Sequence, residues 1–290
     1  MKKLVTMLLI FVMLAAFAVS ASAEEGGSNP VTLNWISARR ALMANELNGS
    51  YYEIEDFGMD IWIPDLLTPL EDIDPDCYYV FTDNNEVVTV KVHRVSIEGE
   101  TTLSGIEKII TEEGAISDGV FWINGYNALV YEVKETDTLA VVIPFDDGDV
   151  IEFAFDPISN QDVYTLTSII MSTIQPHELG VEDVAMMIDA DLNSNWGPNR
   201  KVNYVDDAEE RSITVYLWDE GVTTETISTA DWDTVRQSRI VLYNNYVDVL
   251  DEFHMADDVL LSLLYISPEE EKSFLTISGG QIEYDFANKE

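Results

Sequence analysis

The chain has 290 residues, with 54 acidic and 15 basic side chains, so its formal net charge is −39 at pH 7. A surface of that sign repels nucleic-acid phosphates and anionic lipid headgroups, which proteins bind chiefly through Lys and Arg. We therefore expect no nucleic-acid partner. A hydrophobic content of 47% can form a sizeable core, which excludes intrinsic disorder, and the length indicates two domains.

The amino terminus has the pattern of a secretory signal peptide. A short cationic start precedes an apolar run from Leu4 to Val19, and small residues follow it. As a helix this run would be about 24 Å long, which is shorter than the ~30 Å hydrocarbon core of a bilayer. We expect cleavage between Ala23 and Glu24, a mobile leader over residues 24–30, and a secreted protein with no membrane span.

Residues 31–176 are predicted to form an α+β domain with a largely antiparallel sheet. A helix from Trp35 to Leu47 should end at Asn48-Gly49. Further helices are expected at the capping-box pattern Ser104–Glu107 and after Ser159. The predicted strands are Tyr51–Phe57, Met59–Ile63, Cys77–Thr82, Glu86–Val95, Tyr126–Glu135, Thr138–Ile143 and Asp149–Phe155, and a hairpin through Asp146-Asp147-Gly148 joins the last two.

Residues 177–199 are predicted to be a linker, with a short helix from Glu182 to Ile188 and turns from Asp191 to Pro198. Residues 200–290 are predicted to form a smaller α+β domain. Its one long amphipathic helix, capped at Ser228 or Thr229, carries apolar residues from Trp232 to Phe253. The predicted strands are Lys201–Val205, Ser212–Trp218, Val222–Ile227, a strand buried on both faces at Val259–Ile266, and a hairpin of Phe274–Ile277 with Ile282–Phe286.

Cys77 is the only cysteine, so the chain can form no intramolecular disulfide and has no paired-cysteine metal or redox motif. A nucleophilic role needs the thiolate, which the neighbouring Asp76 disfavours. The strand pattern that follows Cys77 favours a buried structural thiol.

The three histidines lack metal-ligand spacing. His177-Glu178 starts a His-Glu-x-x-His pattern, but Val181 stands where the second histidine is required. Alternation places His93 on the wet face of its strand, and His254 lies at the end of the long helix, where a cation interacts favourably with the helix dipole. Nucleophile-elbow and phosphate-loop patterns are also lacking. We therefore predict no catalytic, cofactor-binding or metal-binding residues and no cofactor.

Two acidic stretches have the alternate-residue spacing of a calcium loop. Neither has the glycine required at the sixth position, and the second has Arg200 where a bidentate glutamate is needed. Solvated acidic loops are the simpler interpretation. The two stretches are Asp72, Asp74 and Asp76, and Asp189, Asp191 and Asn193.

Six tryptophans raise the question of sugar-stacking platforms. Four of them occupy predicted strands or the apolar stripe of the long helix, which favours core packing. Trp196 lies instead in the predicted polar interdomain segment, where it would be exposed. The four tryptophans assigned to core packing are Trp62, Trp122, Trp218 and Trp232.

Four features of the first domain together form a recognisable pattern: Asn124-Gly125 before Leu129–Glu135, the hairpin at Asp147-Gly148, the phenylalanine-rich strand Ile151–Phe155 and the helix end Ile169–Ile174. With them the domain, over about residues 35–176, resembles the PsbP-like superfamily, whose domains recur in secreted proteins of Gram-positive gut bacteria. The resemblance implies an antiparallel sheet flanked by helices, in domains that mostly act as binding or assembly modules, and it carries over no functional residue. The second domain resembles uncharacterised strand-helix-strand domains.

The sequence thus favours a secreted, acidic, non-catalytic protein that binds an extracellular protein or glycan. One alternative is a secreted hydrolase that uses two carboxylates, one of them with a raised pKa. Another is a calcium-dependent structural or adhesive protein. The acidity is also typical of proteins from high-salt habitats. Neither the ligand nor the oligomeric state follows from the sequence.

Overall fold

The computed structural model describes residues 31–85, 87–95, 102–145, 148–207, 209–225, 227 and 229–288. The predicted signal peptide and leader, the hairpin residues Asp146 and Asp147, and the predicted cap Ser228 lie outside the described residues. The chain divides into two compact units between His177 and Glu178. Both units combine helices with β-sheet, so the predicted α+β class is confirmed.

The first unit contains two sheets and three α-helices among its described residues. Its strands are β1 (Val31–Leu33), β2 (Gly49–Ile54), β3 (Met59–Pro64), β4 (Thr68–Pro69), β5 (Cys77–Thr82), β6 (Thr89–Val95), β7 (Ile116–Ile123), β8 (Tyr126–Val133), β9 (Thr138–Pro144), β10 (Val150–Asp156) and β11 (Gln175–Pro176). Its helices are α1 (Trp35–Ala44), α2 (Leu103–Glu112) and α3 (Gln161–Met171). The large sheet has the order β1-β7-β8-β9-β10-β6-β5-β4, and the small one β11-β3-β2. The pairing is antiparallel except between β1 and β7.

The main core of the first unit lies on one face of the large sheet. Phe153 and Phe155 alternate along β10 and are fully buried there, against Ile61 of β3 and Ile170 of α3. Full burial of each such side chain contributes about 1.5–3 kcal/mol to folding. This core therefore holds the two sheets and α3 together.

A second apolar cluster covers part of the opposite face of the large sheet. Ile106 of α2 is fully buried there, beside Leu129 and Tyr131 of β8 and Val142 of β9. Strand β8 is therefore buried on both faces at its centre, and the outer face of this sheet is only partly wet.

The helix starts differ from the predicted ones because other side chains cap them. Helix α2 begins after Thr102, whose Oγ1 accepts a hydrogen bond from the Gly105 N–H at 3.2 Å, so the predicted box at Ser104 is wrong. Helix α3 begins after Asn160, whose Oδ1 accepts from the Asp162 N–H at 3.0 Å, and not after Ser159. In both cases the cap is one of several neighbouring polar residues, and backbone direction decides between them.

Two local features of the first unit depart from the sequence pattern. Helix α1 ends at Ala44 instead of Leu47, with Asn45 as its cap. Trp122 was expected in a strand, but the bounds of strand β7, which includes Ser117-Asp118-Gly119, were not predicted. In the structure this tripeptide forms a bulge within the strand, and Gly119 takes a φ of +94° that favours glycine.

Over the part of the second unit that the structure describes, one five-stranded sheet is combined with two α-helices. Its elements are α4 (Val181–Trp196), β12 (Arg200–Asp206), β13 (Arg211–Leu217), α5 (Thr229–Glu252), β14 (Leu260–Ser267), β15 (Lys272–Ser278) and β16 (Gln281–Asp285). The strand order is β12-β13-β14-β15-β16, in which β13 and β14 are parallel and the other pairs antiparallel. The β15–β16 hairpin was predicted and is present.

Three predictions for this unit are wrong. Helix α4 runs to Trp196, well beyond the short helix expected to end at Ile188, because buried residues such as Leu192 continue its apolar face. Residues 222–225 and 227 form no strand; Thr224 is held instead by Glu270, which accepts from both its N–H and its hydroxyl. Strand β14 alternates between buried and half-buried residues and begins with Leu260, which is 49% exposed, so it is not buried on both faces.

Candidate functional site

A groove with a volume of about 570 Å³ opens at one end of the sheet in the second unit. It lies where the β12–β13 turn, the start of β14 and the β15–β16 turn meet the second half of α5. Its size falls within the range of ordinary ligand sites. The lining residues are Glu209, Glu210, Arg211, Tyr243, Val247, Ala256, Asp257, Asp258, Val259, Leu260, Leu261, Gly279 and Gly280.

The floor of the groove is apolar. Tyr243 of α5 is buried, and its hydroxyl accepts a hydrogen bond from the Gly280 N–H at 2.8 Å, which ties the helix to the β15–β16 turn. Val259 and Leu261 are also buried, whereas Leu260 between them is 49% exposed. The groove therefore offers an apolar side chain to solvent on a fixed backbone.

The backbone conformation of the β15–β16 turn requires its two glycines. Gly279 and Gly280 have φ values of +52° and +76°, in the left-handed region that other residues rarely adopt. A Cβ at Gly279 would lie 3.7 Å from Leu260 Cδ1, which is ordinary contact, so backbone conformation and not space demands glycine there.

The rim of the groove is acidic. The Asp207 carboxylate accepts hydrogen bonds from the N–H groups of Glu209 and Glu210 at 2.9 and 2.8 Å, which fixes the turn that carries both glutamates. Asp257 and Asp258 form a second acidic edge immediately before β14, and all four carboxylate residues are exposed. The one basic lining residue, Arg211, already pairs with Asp206 at 3.0 Å. The groove can therefore attract a cation and bury an apolar group together.

Two candidate residues of the sequence analysis lie side by side in the first unit. Cys77 of β5 is directly opposite His93 of β6, and His93 is opposite Glu152 of β10. The His93 Nε2 is 2.7 Å from Glu152 Oε1, and the Tyr131 hydroxyl donates to the other oxygen of the same carboxylate. His93 is thus half-buried and hydrogen-bonded instead of exposed to solvent, because this face of the sheet also carries the second apolar cluster. Cys77 is half-buried and not fully buried as predicted.

The electrostatics of this row are those of a satisfied network. Burial raises the pKa of Glu152, but the hydrogen bonds from His93 and Tyr131 and the charge of Lys91 outweigh it and hold the pKa below its ordinary value. Burial, followed by the charge and hydrogen bond of Glu152, raises the pKa of Tyr131. Glu152 is therefore ionised and Tyr131 protonated at neutral pH, as structural partners require.

The other two histidines lie on the surfaces of separate units. His177 Nδ1 is 3.0 Å from Asp60 Oδ1, and its Nε2 is 3.6 Å from Glu53 Oε1. His254 is exposed and follows α5 with a φ of +56°, close to the helix end where it was predicted. The structure therefore does not bring the three histidines together.

The second calcium-loop pattern is contradicted, because its residues lie within helix α4 and not in a loop. Asp189 pairs there with Arg200 at 2.8 Å, and Asp191 accepts a hydrogen bond from the Tyr246 hydroxyl at 3.0 Å. The first stretch, Asp72 to Asp76, lies in an exposed segment between β4 and β5. Among the described residues, no group of three or more His, Cys, Asp or Glu side chains could hold a metal ion.

Trp196 is packed against a cation and is not an exposed platform. It ends helix α4, and the guanidinium of Arg239 lies 4.2 Å from its ring centroid. The same guanidinium lies 4.7 Å from the ring centroid of Tyr265 and 3.3 Å from Asp219. Trp62 and Trp232 are buried as predicted, and Trp122 and Trp218 are half-buried.

One pair of acids in the first unit has the electrostatic feature expected of a carboxylate enzyme. Burial, and secondly the charge of Glu132, raise the pKa of Asp118 to about 6. Asp118 lies in the bulge of β7, next to β8, which carries Glu132. Part of the Asp118 side chain is nevertheless exposed.

Sequence reasoning missed the groove altogether. Its parts are separated by up to about seventy residues, from Glu209 to Gly280, and each part resembles an ordinary turn. The Gly279-Gly280 pair and the adjacent Asp257-Asp258 pair were visible, but no local pattern connects them. Within the described part of the chain, no helix has the length and apolar character needed to cross a membrane.

No family model matches the chain, and no curated protein matches it. Among solved structures, the chain is similar to PsbP from Synechocystis sp. PCC 6803, with 18% identity, 43% of this chain and 91% of that chain covered, and a TM-score of 0.32. It is also similar to the Ran-binding protein Mog1p of Saccharomyces cerevisiae, with 12% identity, coverages of 46% and 97%, and a TM-score of 0.30. A structure from Bacteroides thetaiotaomicron VPI-5482 matches with 9% identity, coverages of 82% and 87%, and a TM-score of 0.31.

PsbP and Mog1 share a PsbP-like fold. At such TM-scores the likeness carries no argument about function. The α+β architecture rests on the strands and helices themselves.

Proposed function

We propose that the protein is an exported, acidic, non-catalytic binding protein that holds its ligand in the groove of the second unit. The observation that supports this proposal is the groove itself, which has an apolar floor, the half-exposed Leu260 and two acidic edges. The histidine nearest to a reactive arrangement, His93, is engaged in a hydrogen-bonded network of the first unit. Binding therefore accounts for the groove without any chemical step.

Filling the groove tests this role. Ala256 lines it and is exposed, so Ala256→Trp should obstruct the groove at little cost in stability. Ala44, exposed at the end of α1, provides the matched control Ala44→Trp. We expect the labelled wild-type protein and the Ala44→Trp variant to bind components of the cell surface or of the culture medium of the producing cells. The Ala256→Trp variant should lose most of that binding. Equal binding by all three proteins, or no binding by any of them, would contradict the proposal.

Export is the second part of the proposal. The cationic start, the apolar run from Leu4 and the small residues before Glu24 support cleavage after Ala23. Expression of the full chain in a bacterial host should yield extracytoplasmic protein whose amino-terminal residue, determined by Edman sequencing, is Glu24. Protein that stays in the cytoplasm and retains Lys2 and Lys3 would disprove export and leave the binding proposal untouched.

A carboxylate hydrolase is the second candidate, favoured by the raised pKa of Asp118 beside Glu132. A general acid needs a pKa near the working pH. If this function is correct, the purified protein hydrolyses aryl glycosides with a rate that falls as the pH rises through about 6, because the general acid then loses its proton, and Asp118→Asn abolishes turnover while the exposed-acid control Asp65→Asn does not. Absence of turnover across a panel of glycosides removes this candidate and leaves the binding proposal in place.

A further inference from the structure

Leu260 is the most exposed of the large apolar side chains that line the groove. The residues on either side of it, Val259 and Leu261, are 4% and 3% exposed, whereas Leu260 is 49% exposed and lines the groove. Concave ligand sites are lined mainly by apolar side chains. The groove floor thus suits one apolar side chain of a ligand.

The rim adds a requirement of charge. Glu209 and Glu210 come from the turn before β13, and Asp257 and Asp258 from the segment before β14, so two chain segments present carboxylates along one end of the sheet. Within the described residues, none of the four carboxylates takes part in an ion pair. Arg211 does not offset them, because it pairs with Asp206. The ligand that complements this rim carries positive charge next to its apolar group.

A glycan fits the groove poorly. Sugar faces stack on exposed aromatic rings, but Tyr243, the aromatic residue of the lining, is only 3% exposed. Its hydroxyl is also engaged, since it accepts from Gly280 and lies 3.4 Å from the Leu261 carbonyl oxygen. A polypeptide, in contrast, supplies apolar and cationic side chains from one backbone.

We propose that this groove binds a basic peptide segment, with one apolar side chain against Leu260 and flanking Lys or Arg side chains on the four carboxylates. This inference rests on the proposed function, since it names the ligand class of the same groove. It narrows the predicted partner from an extracellular protein or glycan to a protein segment.

The test uses the full mature chain and four synthetic hexapeptides in isothermal titration. Three share a central Leu-Leu and are flanked by lysines, serines or glutamates, and the fourth has lysines around Ser-Ser. We expect measurable binding of the Lys-Leu peptide alone, and weaker binding in about 0.3 M than in about 0.02 M NaCl, because salt screens the rim charges.

Matched variants separate the groove from the charge of the whole chain. The groove variant combines Glu209→Gln, Glu210→Gln, Asp257→Asn and Asp258→Asn. The control combines Asp65→Asn, Glu71→Gln, Asp72→Asn and Asp74→Asn, exposed residues of the first unit with the same total change of charge. Because an exposed ion pair contributes little and the groove variant removes four carboxylates, it should weaken binding of the Lys-Leu peptide about fourfold or more relative to the control.

The outcomes distinguish this inference from the proposed function. Equal weakening in both variants would attribute binding to the overall negative field and overturn the inference. Binding of the serine-flanked peptide that equals that of the Lys-Leu peptide, and that Ala256→Trp removes, would keep the groove as a ligand site but refute the basic ligand. If no peptide binds, the inference is wrong, and the cell-surface experiment with Ala256→Trp alone decides the proposed function.

Discussion

Glu152 is an acid whose position is held by residues of two other strands. His93 comes from β6 and Tyr131 from β8, and each contacts one oxygen of the carboxylate. Burial alone would favour the protonated acid, yet the hydrogen bonds and the charge of Lys91 lower its pKa. The Glu152 side chain is therefore an anion that stabilises the outer face of the sheet. Replacing its carboxylate with a neutral amide would leave His93 and Tyr131 with a weaker hydrogen-bond partner.

Glu152→Gln tests this role through the pH dependence of stability. Because the pKa in the folded state is below the unfolded value of 4.5, the contribution of Glu152 is fully present above 4.5 and is lost as the pH falls through the folded pKa. We expect the variant to lose about 1–3 kcal/mol of unfolding free energy at about pH 6, and less at about pH 3, in urea denaturation. The exposed control Glu112→Gln should lose little at either pH. A loss that does not change with pH would disprove the assignment.

Asp118 behaves in the opposite sense. Its pKa is raised from 3.8 to about 6, so the folded state binds the proton more tightly, and ionisation costs stability as the pH rises from 3.8 through 6. Asp118→Asn should therefore raise the unfolding free energy at about pH 7 by about 1 kcal/mol or less, since the exposed side chain is partly screened. Below pH 3.8 the gain should vanish. A variant that is less stable than the wild type at neutral pH would contradict this prediction.

At the scale of elements, α2 is joined to the large sheet through few side chains. Ile106 is fully buried in the second apolar cluster, together with Leu129 and Val142 of the sheet. Its helix covers the face that also holds Glu152, on the same side of the sheet as Tyr131. Packing of α2 is therefore what changes a predicted wet face into a half-buried one.

Ile106→Ala should destabilise the first unit by about 2–5 kcal/mol, because it removes buried methyl groups and leaves a cavity. Ile116→Ala is the matched control, since Ile116 is 40% exposed, and it should cost well under about 1 kcal/mol. Thermal and urea unfolding of both variants provide the measurement. Equal losses would mean that α2 does not bury this side chain as described.

At the scale of the whole molecule, the net charge of −39 is the main source of electrostatic repulsion in the folded state. Like charges spread over a folded surface repel one another, and salt shortens the distance over which they do so. This repulsion does not depend on which ligand the groove binds. It would be the same if the acidity were an adaptation to a high-salt habitat. Stability measured against salt therefore reports on the charge, and peptide binding to the groove variants reports on function.

Raising NaCl from about 0.02 M to about 0.5 M should increase the melting temperature by several degrees at neutral pH, because screening relieves the repulsion. Near the isoelectric point of 4.1 the same change in salt should have a much smaller effect. Differential scanning calorimetry at both pH values measures this. A melting temperature that does not respond to salt at neutral pH would show that repulsion between surface charges contributes little.

The sequence by itself determined the features that arise from local periodicity and composition. The bounds of β5, the β15–β16 hairpin and the long helix with Trp232 on its buried face follow from the spacing of apolar residues and from turn chemistry. Local spacing was less successful where several polar residues compete for one cap, as at Thr102 and Ser104, or where a bulge interrupts alternation, as at Gly119.

Only the tertiary structure decided which surfaces meet. His93 and Glu152 are 59 residues apart and become partners because β6 and β10 are neighbours in the sheet. The groove likewise forms because the parallel pairing of β13 with β14 sets Ser212 opposite Leu260, so that the segments before both strands lie at one end, to which the β15–β16 turn brings Gly280. Such contacts depend on strand order, and strand order is set by the burial of the whole core, which no short stretch of sequence encodes.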